Sequence, residues 1–133
     1  MNTDQIKSEI KSSKYICVFG IGAISYPIIT AINYFTDIKI DFLCDNDQDK
    51  VGRFYHNYKC ISPSTLATFK DDVSVIISTR HYKTINNQLA KMGISKTFVL
   101  TEYRLFNDLY FKNNDNIEAI KTNIPKLINL LGD

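Results

Sequence analysis

An apolar run that enters a glycine-spaced turn constrains the fold of this chain more than any other stretch. Tyr15-Ile16-Cys17-Val18-Phe19 leads into Gly20-Ile21-Gly22-Ala23-Ile24-Ser25, and an amphipathic pattern follows. That order spells a strand, a turn and a helix start. The strand lacks alternation, as expected of a central parallel strand covered on both faces. Gly20 permits backbone angles that a side chain forbids, Gly22 lets a phosphate approach the main chain, and the N–H groups that open the next helix face the anion. Where a full G-x-G-x-x-G pattern has its third glycine, this chain has Ser25. Serine is small enough for close helix–strand packing and can cap the helix, with Pro27 in its first turn. Gly20, Ile21, Gly22, Ala23 and Ser25 are therefore candidate phosphate contacts, while Ile24, Ile28, Ala31, Ile32 and Phe35 form the expected buried face.

A second apolar strand, Ile38 to Cys44, ends on Asp45-Asn46. An acidic residue at that point can accept hydrogen bonds from both ribose hydroxyls and would repel a 2′-phosphate, so a nicotinamide cofactor here would be NAD rather than NADP. Twenty-five residues separate Gly20 from Asp45, against the usual spacing of about 20. The run Asp45-Asn46-Asp47-Gln48-Asp49 also resembles the start of a calcium loop. It then departs from one, with Lys50 where glycine is needed and His56 where the closing glutamate belongs. A solvated loop accounts better for Asp47 and Asp49, and no metal ligand is assigned.

Val51 to Ile61 reads as a small strand or hairpin before Ser62-Pro63. Tyr55 and Lys59 have the Y-x-x-x-K spacing of short-chain dehydrogenases, which needs both side chains on one helical face; the flanking Gly52 and Ser62-Pro63 argue against a helix. Ser64 to Phe69 makes a short helix, and Val73 to Thr79 the clearest strand after the first. The residues at and beyond its end should share a rim with the glycine turn. Ser78, Thr79 and Arg80 are candidate ligand contacts there, Lys83 a further cation, and His81 the candidate acid/base group. The plainer account leaves Arg80 and Lys83 solvated and His81 at a helix start. Ile85, Leu89 and Met92, with Gly93 beyond, give a helix and its stop, and Thr97 to Leu100 another strand. The alternation predicts an α/β fold: an open, doubly wound, mostly parallel sheet with helices on both faces and a C-terminal helical tail.

The ends are helical. Ile6 and Ile10 give Thr3 to Ser12 one narrow apolar stripe. After Thr101, Leu105, Phe106, Leu109 and Tyr110 share a face, a polar run interrupts, and Ile117 to Leu131 continues an apolar pattern that Pro125 should kink. The expected organisation is one nucleotide-binding domain over 1–111 and a tail over 112–133. The tail either folds back on the sheet or docks on another subunit or a partner enzyme.

Composition narrows the function classes. Sixteen basic against fourteen acidic residues leave a formal charge of +2 with no dense basic stripe, so nucleic-acid binding has no electrostatic support. Cys17, Cys44 and Cys60 are far apart, odd in number and outside any C-x-x-C pattern, as expected of buried hydrophobes in a reducing compartment. No apolar run approaches the roughly 20 residues of a membrane span, and the start lacks a signal peptide's apolar region. A cytoplasmic protein is the expectation.

Val18-Phe19-Gly20-Ile21-Gly22 with Tyr26-Pro27-Ile28-Ile29, Phe42-Leu43-Cys44-Asp45-Asn46-Asp47, Ile61-Ser62-Pro63, Ile76-Ile77-Ser78-Thr79, and Gln88-Leu89 with Met92-Gly93-Ile94 together resemble a small Rossmann-like module. That module fronts bacterial sugar acyltransferases and nucleotide-sugar dehydratases or epimerases of surface-polysaccharide synthesis, and is attached to some glycan-modifying methyltransferases. The resemblance spans roughly Tyr15 to Tyr103. It implies binding of a nucleotide, NAD or a nucleotide-sugar, with the chemistry often carried by an attached domain. Two other readings stand beside a binding module: a small NAD-dependent oxidoreductase or sugar-nucleotide enzyme using His81, Arg80 or Lys83, and a degenerate scaffold in which Ser25 marks a lost site.

Overall fold

The computed structural model describes residues 3–99. The expectations placed on Leu100, on the helical face of Leu105, Phe106, Leu109 and Tyr110, on the domain end at 111 and on the helical tail over 112–133 lie outside the described residues. Helix α1 (Thr3–Lys11) buries Ile6 and Ile10, as its stripe predicts, and carries Asp4 in the first turn and Lys11 in the last, each complementing the helix dipole. Strand β1 (Tyr15–Phe19) and helix α2 (Ser25–Phe35) flank the glycine turn. Then follow β2 (Phe42–Cys44), a hairpin of β3 (Phe54–Tyr55) and β4 (Tyr58–Ile61), helix α3 (Pro63–Ala67), β5 (Val73–Ile77), α4 (Tyr82–Lys91) and β6 (Thr97–Val99).

The six strands lie in the order β3-β4-β2-β1-β5-β6, all parallel except the β3–β4 hairpin. From β1 the chain runs outward through β2 to β4, then crosses back to lay β5 on the other side of β1. The reversal falls between β1 and β5. This is the doubly wound arrangement that the alternation predicts, and β1 is central, with four of its five residues buried.

Alternate residues of the strands feed two cores. On one face Ile16, Val18, Leu43 and Ile76 pack with Ile6 and Ile10 of α1 and with Ile28, Ile29 and Ile32 of α2. On the other, Cys17, Phe19, Cys44, Val75 and Ile77 pack with Leu66 of α3 and with Ile85 and Leu89 of α4. Of the face expected for α2, Ile28, Ala31 and Ile32 are buried and Ile24 and Phe35 half-buried.

Strand β2 is shorter than the expected Ile38 to Cys44. The Asp41 N–H donates to the Ile16 carbonyl at 2.8 Å, but the Ile16 N–H is taken by the Asp41 carboxylate, also at 2.8 Å. A side chain thus replaces a rung, and backbone pairing begins at Phe42 opposite Cys17. Ile38 and Ile40 stay buried between exposed neighbours. The short helix likewise ends at Ala67 rather than Phe69; Ser62 caps it by accepting the Thr65 N–H at 3.1 Å, and Pro63 opens it.

The hairpin turns on His56 (φ 54°) and Asn57 (φ 70°), the left-handed pair that a two-residue primed turn requires. Tyr55 and Lys59 therefore lie on opposite strands, paired with Tyr58 and Phe54. No helical face brings them together. The hairpin is held to α2 by the Tyr58 hydroxyl, which donates to Asn33 Oδ1 at 2.8 Å, and by the His56 ring 4.9 Å from that of Tyr26. No helix among the described residues is long and apolar enough to cross a membrane.

Candidate functional site

The carboxyl ends of β1, β2 and β5 meet in a cleft of about 320 Å³, lined by Gly20, Ile21, Gly22, Ala23 and Ile24, by Asp45, and by Ser78, Thr79, Arg80 and His81. Its position is the crevice at the sheet's switch point, where open α/β sheets take their ligands. Most of the residues singled out in the sequence come together here. Three do not line it. Ser25 is buried beneath the turn, Asn46 is engaged in a reciprocal amide pair with Gln88, at 2.9 and 2.8 Å, and Lys83 is exposed on the first turn of α4.

The glycine turn is held from every side. Gly20 has φ +106°, and its N–H donates to the Cys44 carbonyl at 2.9 Å. The buried Ser78 hydroxyl lies 2.7 Å from the Gly20 carbonyl and 3.2 Å from that of Phe19. A Cβ on Gly20 would sit 3.1 Å from Thr79 Cβ. The Ile21 N–H donates to Asp45 Oδ2 at 2.8 Å, and the Ile21 carbonyl accepts from Lys50 Nζ at 2.6 Å. Gly22 exchanges both its groups with one hydroxyl: its N–H donates to Ser25 Oγ at 2.9 Å, which donates back to its carbonyl at 2.8 Å. Ser25 is thus the turn's internal brace rather than the cap of α2, whose N-cap is Ile24 with no side-chain bond. A serine one residue past the N-cap can close the turn because its short hydroxyl reaches back three residues.

The next N–H groups along the chain are those of Ala23 and Ile24, both in the cleft wall. A second helix, α4, starts at the same cleft from its N-cap His81, again with no side-chain cap bond. Neither α2 nor α4 has an acidic residue in its first turn. Two positive helix ends therefore converge with Arg80 and the exposed His81 on one volume, an environment that favours an anion. Opposite them stands Asp45, whose Oδ1 also accepts the Asp47 N–H at 2.8 Å. Each carboxylate oxygen keeps a second lone pair for a ligand hydroxyl. Lys50 Nζ lies 4.0 Å from Asp45 Oδ2 and balances its charge.

Lys50 makes the contact at the glycine turn that the sequence did not announce. Its side chain crosses back to a carbonyl 29 residues earlier, a contact no local spacing encodes. The Asp45 to Asp49 run, by contrast, folds as a loop in which Asp45 and Asp47 each accept the N–H two residues on. Among the described residues no group of three His, Cys, Asp or Glu side chains is arranged to hold a metal ion. The three cysteines are free and buried, and burial, with neighbouring Cys44 and Cys60 adding to it at Cys17, pushes their thiols up from the usual range.

Sheet order and cleft together define a Rossmann-like α/β protein. Residues 11–100 match the C2185-like N-terminal family, and the chain belongs to that family. A search of curated proteins returns no match. Among solved structures, a UDP-D-quinovosamine 4-dehydrogenase from Vibrio fischeri shares the fold at a TM-score of 0.53 and 17% identity, covering 82% of this chain and 86% of its own. At that identity the likeness concerns the fold.

Proposed function

We propose that this protein is a nucleotide-binding module of bacterial surface-glycan biosynthesis that takes NAD or a nucleotide-sugar and acts by binding rather than by its own chemistry. The observation that carries the reading is the convergence of two uncapped helix starts, Arg80 and His81 on the switch-point cleft, facing the Asp45 carboxylate. The first set suits phosphate and the carboxylate suits ribose hydroxyls. The fold neighbour's substrate class, a UDP-sugar, puts nucleotide-sugars among the first probes.

Gly22 adds independent support. It is exposed, has no positive φ, and a Cβ built there would meet nothing within 4 Å. Folding does not require glycine at this position, whereas a ligand lying against the main chain does. A thermal-shift screen against NAD, NADP, nucleoside diphosphates and UDP-sugars tests the proposal, because a ligand that binds only the folded state raises its melting temperature. A selective rise that Gly22→Ala abolishes is the expected result. No rise with any probe would favour the scaffold reading instead.

His81 supports a second reading. It is exposed in the cleft wall with its imidazole making no cap bond, so an acid/base group stands where a substrate beside the nucleotide would lie. That reading requires turnover that His81→Ala abolishes while nucleotide affinity is retained.

A further inference from the structure

We infer that Lys50 is a positioning residue of the cleft, clasping the glycine turn against Asp45 so that the start of α2 is presented to a ligand phosphate; the inference rests on the nucleotide-binding reading. All six backbone polar groups of Gly20, Ile21 and Gly22 have protein partners. The turn itself is therefore a strut, and the donors left for an anion lie farther on, at Ala23 and Ile24. Where those two point depends on how the strut is pinned. Gly20 is pinned by the ends of β2 and β5, and Gly22 by Ser25 within the turn. Ile21 is pinned only from the loop after β2, its N–H by Asp45 and its carbonyl by Lys50.

The two clasping groups are coupled. Lys50 Nζ reaches the Ile21 carbonyl at 2.6 Å and stands 4.0 Å from the same Asp45 oxygen that holds the Ile21 N–H. The Lys50 side chain is 31% exposed and that of Asp45 16%, so the pair sits at the half-dry rim rather than in open solvent. Remove the ammonium and two things change at once. The Ile21 carbonyl loses its partner, and the Asp45 charge stands uncompensated beside the path of an incoming phosphate. The lysine's own backbone is fixed by its N–H on the Asp47 carbonyl at 3.0 Å, so the loop delivers the side chain from a set place.

The test pairs amide hydrogen exchange at Ile21 with titrations of ADP and UDP, on wild type, Lys50→Met and Lys50→Arg. Lys50→Met is expected to speed exchange at Ile21 and weaken nucleotide binding about tenfold, the scale of a lost hydrogen bond to a charged group. Lys50→Arg, which keeps charge and donors, should recover most of both. If Lys50→Met fails to fold, Lys50→Gln replaces it and the same two readouts decide. Unchanged Ile21 exchange, or faster exchange with affinity retained, or an arginine variant no better than methionine, overturns the role. Wild type that binds neither nucleotide contradicts the nucleotide reading and this role together, while the exchange difference alone still reports whether the clasp exists.

Discussion

Two glycines two residues apart hold their places for different reasons, and substitution separates them. Gly20 is a folding requirement: φ +106° and the 3.1 Å approach to Thr79 Cβ leave no room for a side chain. Gly20→Ala should cost ~1–3 kcal/mol in denaturant unfolding. Gly22→Ala should change stability by less than ~0.5 kcal/mol, as at other open surface positions, and should show its effect in nucleotide binding. His56 gives a pH signature. Partial desolvation lowers its pKa, so the unfolded chain binds the proton more readily than the folded one. Stability is therefore full above the unfolded value of about 6.5 and declines as pH falls through the lower folded value. Melting curves between pH 8 and pH 5 should show that decline, and His56→Asn, which tolerates the same positive φ, should make it shallower. The glycine spacing, Asp45 and the Ser78–His81 rim were legible as residues because each follows directly on a strand end. The Asp41 and Lys50 contacts were not, since each depends on a side chain reaching a backbone group more than twenty residues away.

At the scale of elements, the strand ends carry the site and the helices carry the stability. Ser78 directly follows β5, which ends at Ile77 rather than at the expected Thr79, and bonds back to the carbonyls of Phe19 and Gly20 at the end of β1, so one hydroxyl joins the two strands flanking the switch point. Ser78→Ala removes a buried donor from Phe19 and Gly20 and should destabilise by ~1–3 kcal/mol, measured by denaturant midpoint. Leu89, fully buried where α4 meets the sheet, should cost ~2–5 kcal/mol on truncation to Ala. Apolar periodicity located α1, β1, α2, β5 and α4 because each buries a continuous face. Boundaries were read less well where a polar side chain ends the element: Asp41 shortens β2 and Ser62 sets the start of α3. Periodicity records which residues are buried. It does not record which backbone group a side chain takes.

For the molecule as a whole, one sheet serves two cores, and the three cysteines lie inside it on adjacent strands β1, β2 and β4. Their burial and raised pKa predict that a thiol reagent such as Ellman's labels none of them in the native protein at neutral pH and all three after unfolding. The central claim is that the cleft between β1 and β5 holds a nucleotide. The most direct measurement is amide chemical-shift mapping of the 15N-labelled protein titrated with UDP, ADP and NAD. The account predicts shifts centred on Gly20 to Ile24, Asp45 and Ser78 to His81 with at least one of the three. Saturating titrations that leave those amides unmoved, or that move a different surface, would contradict it.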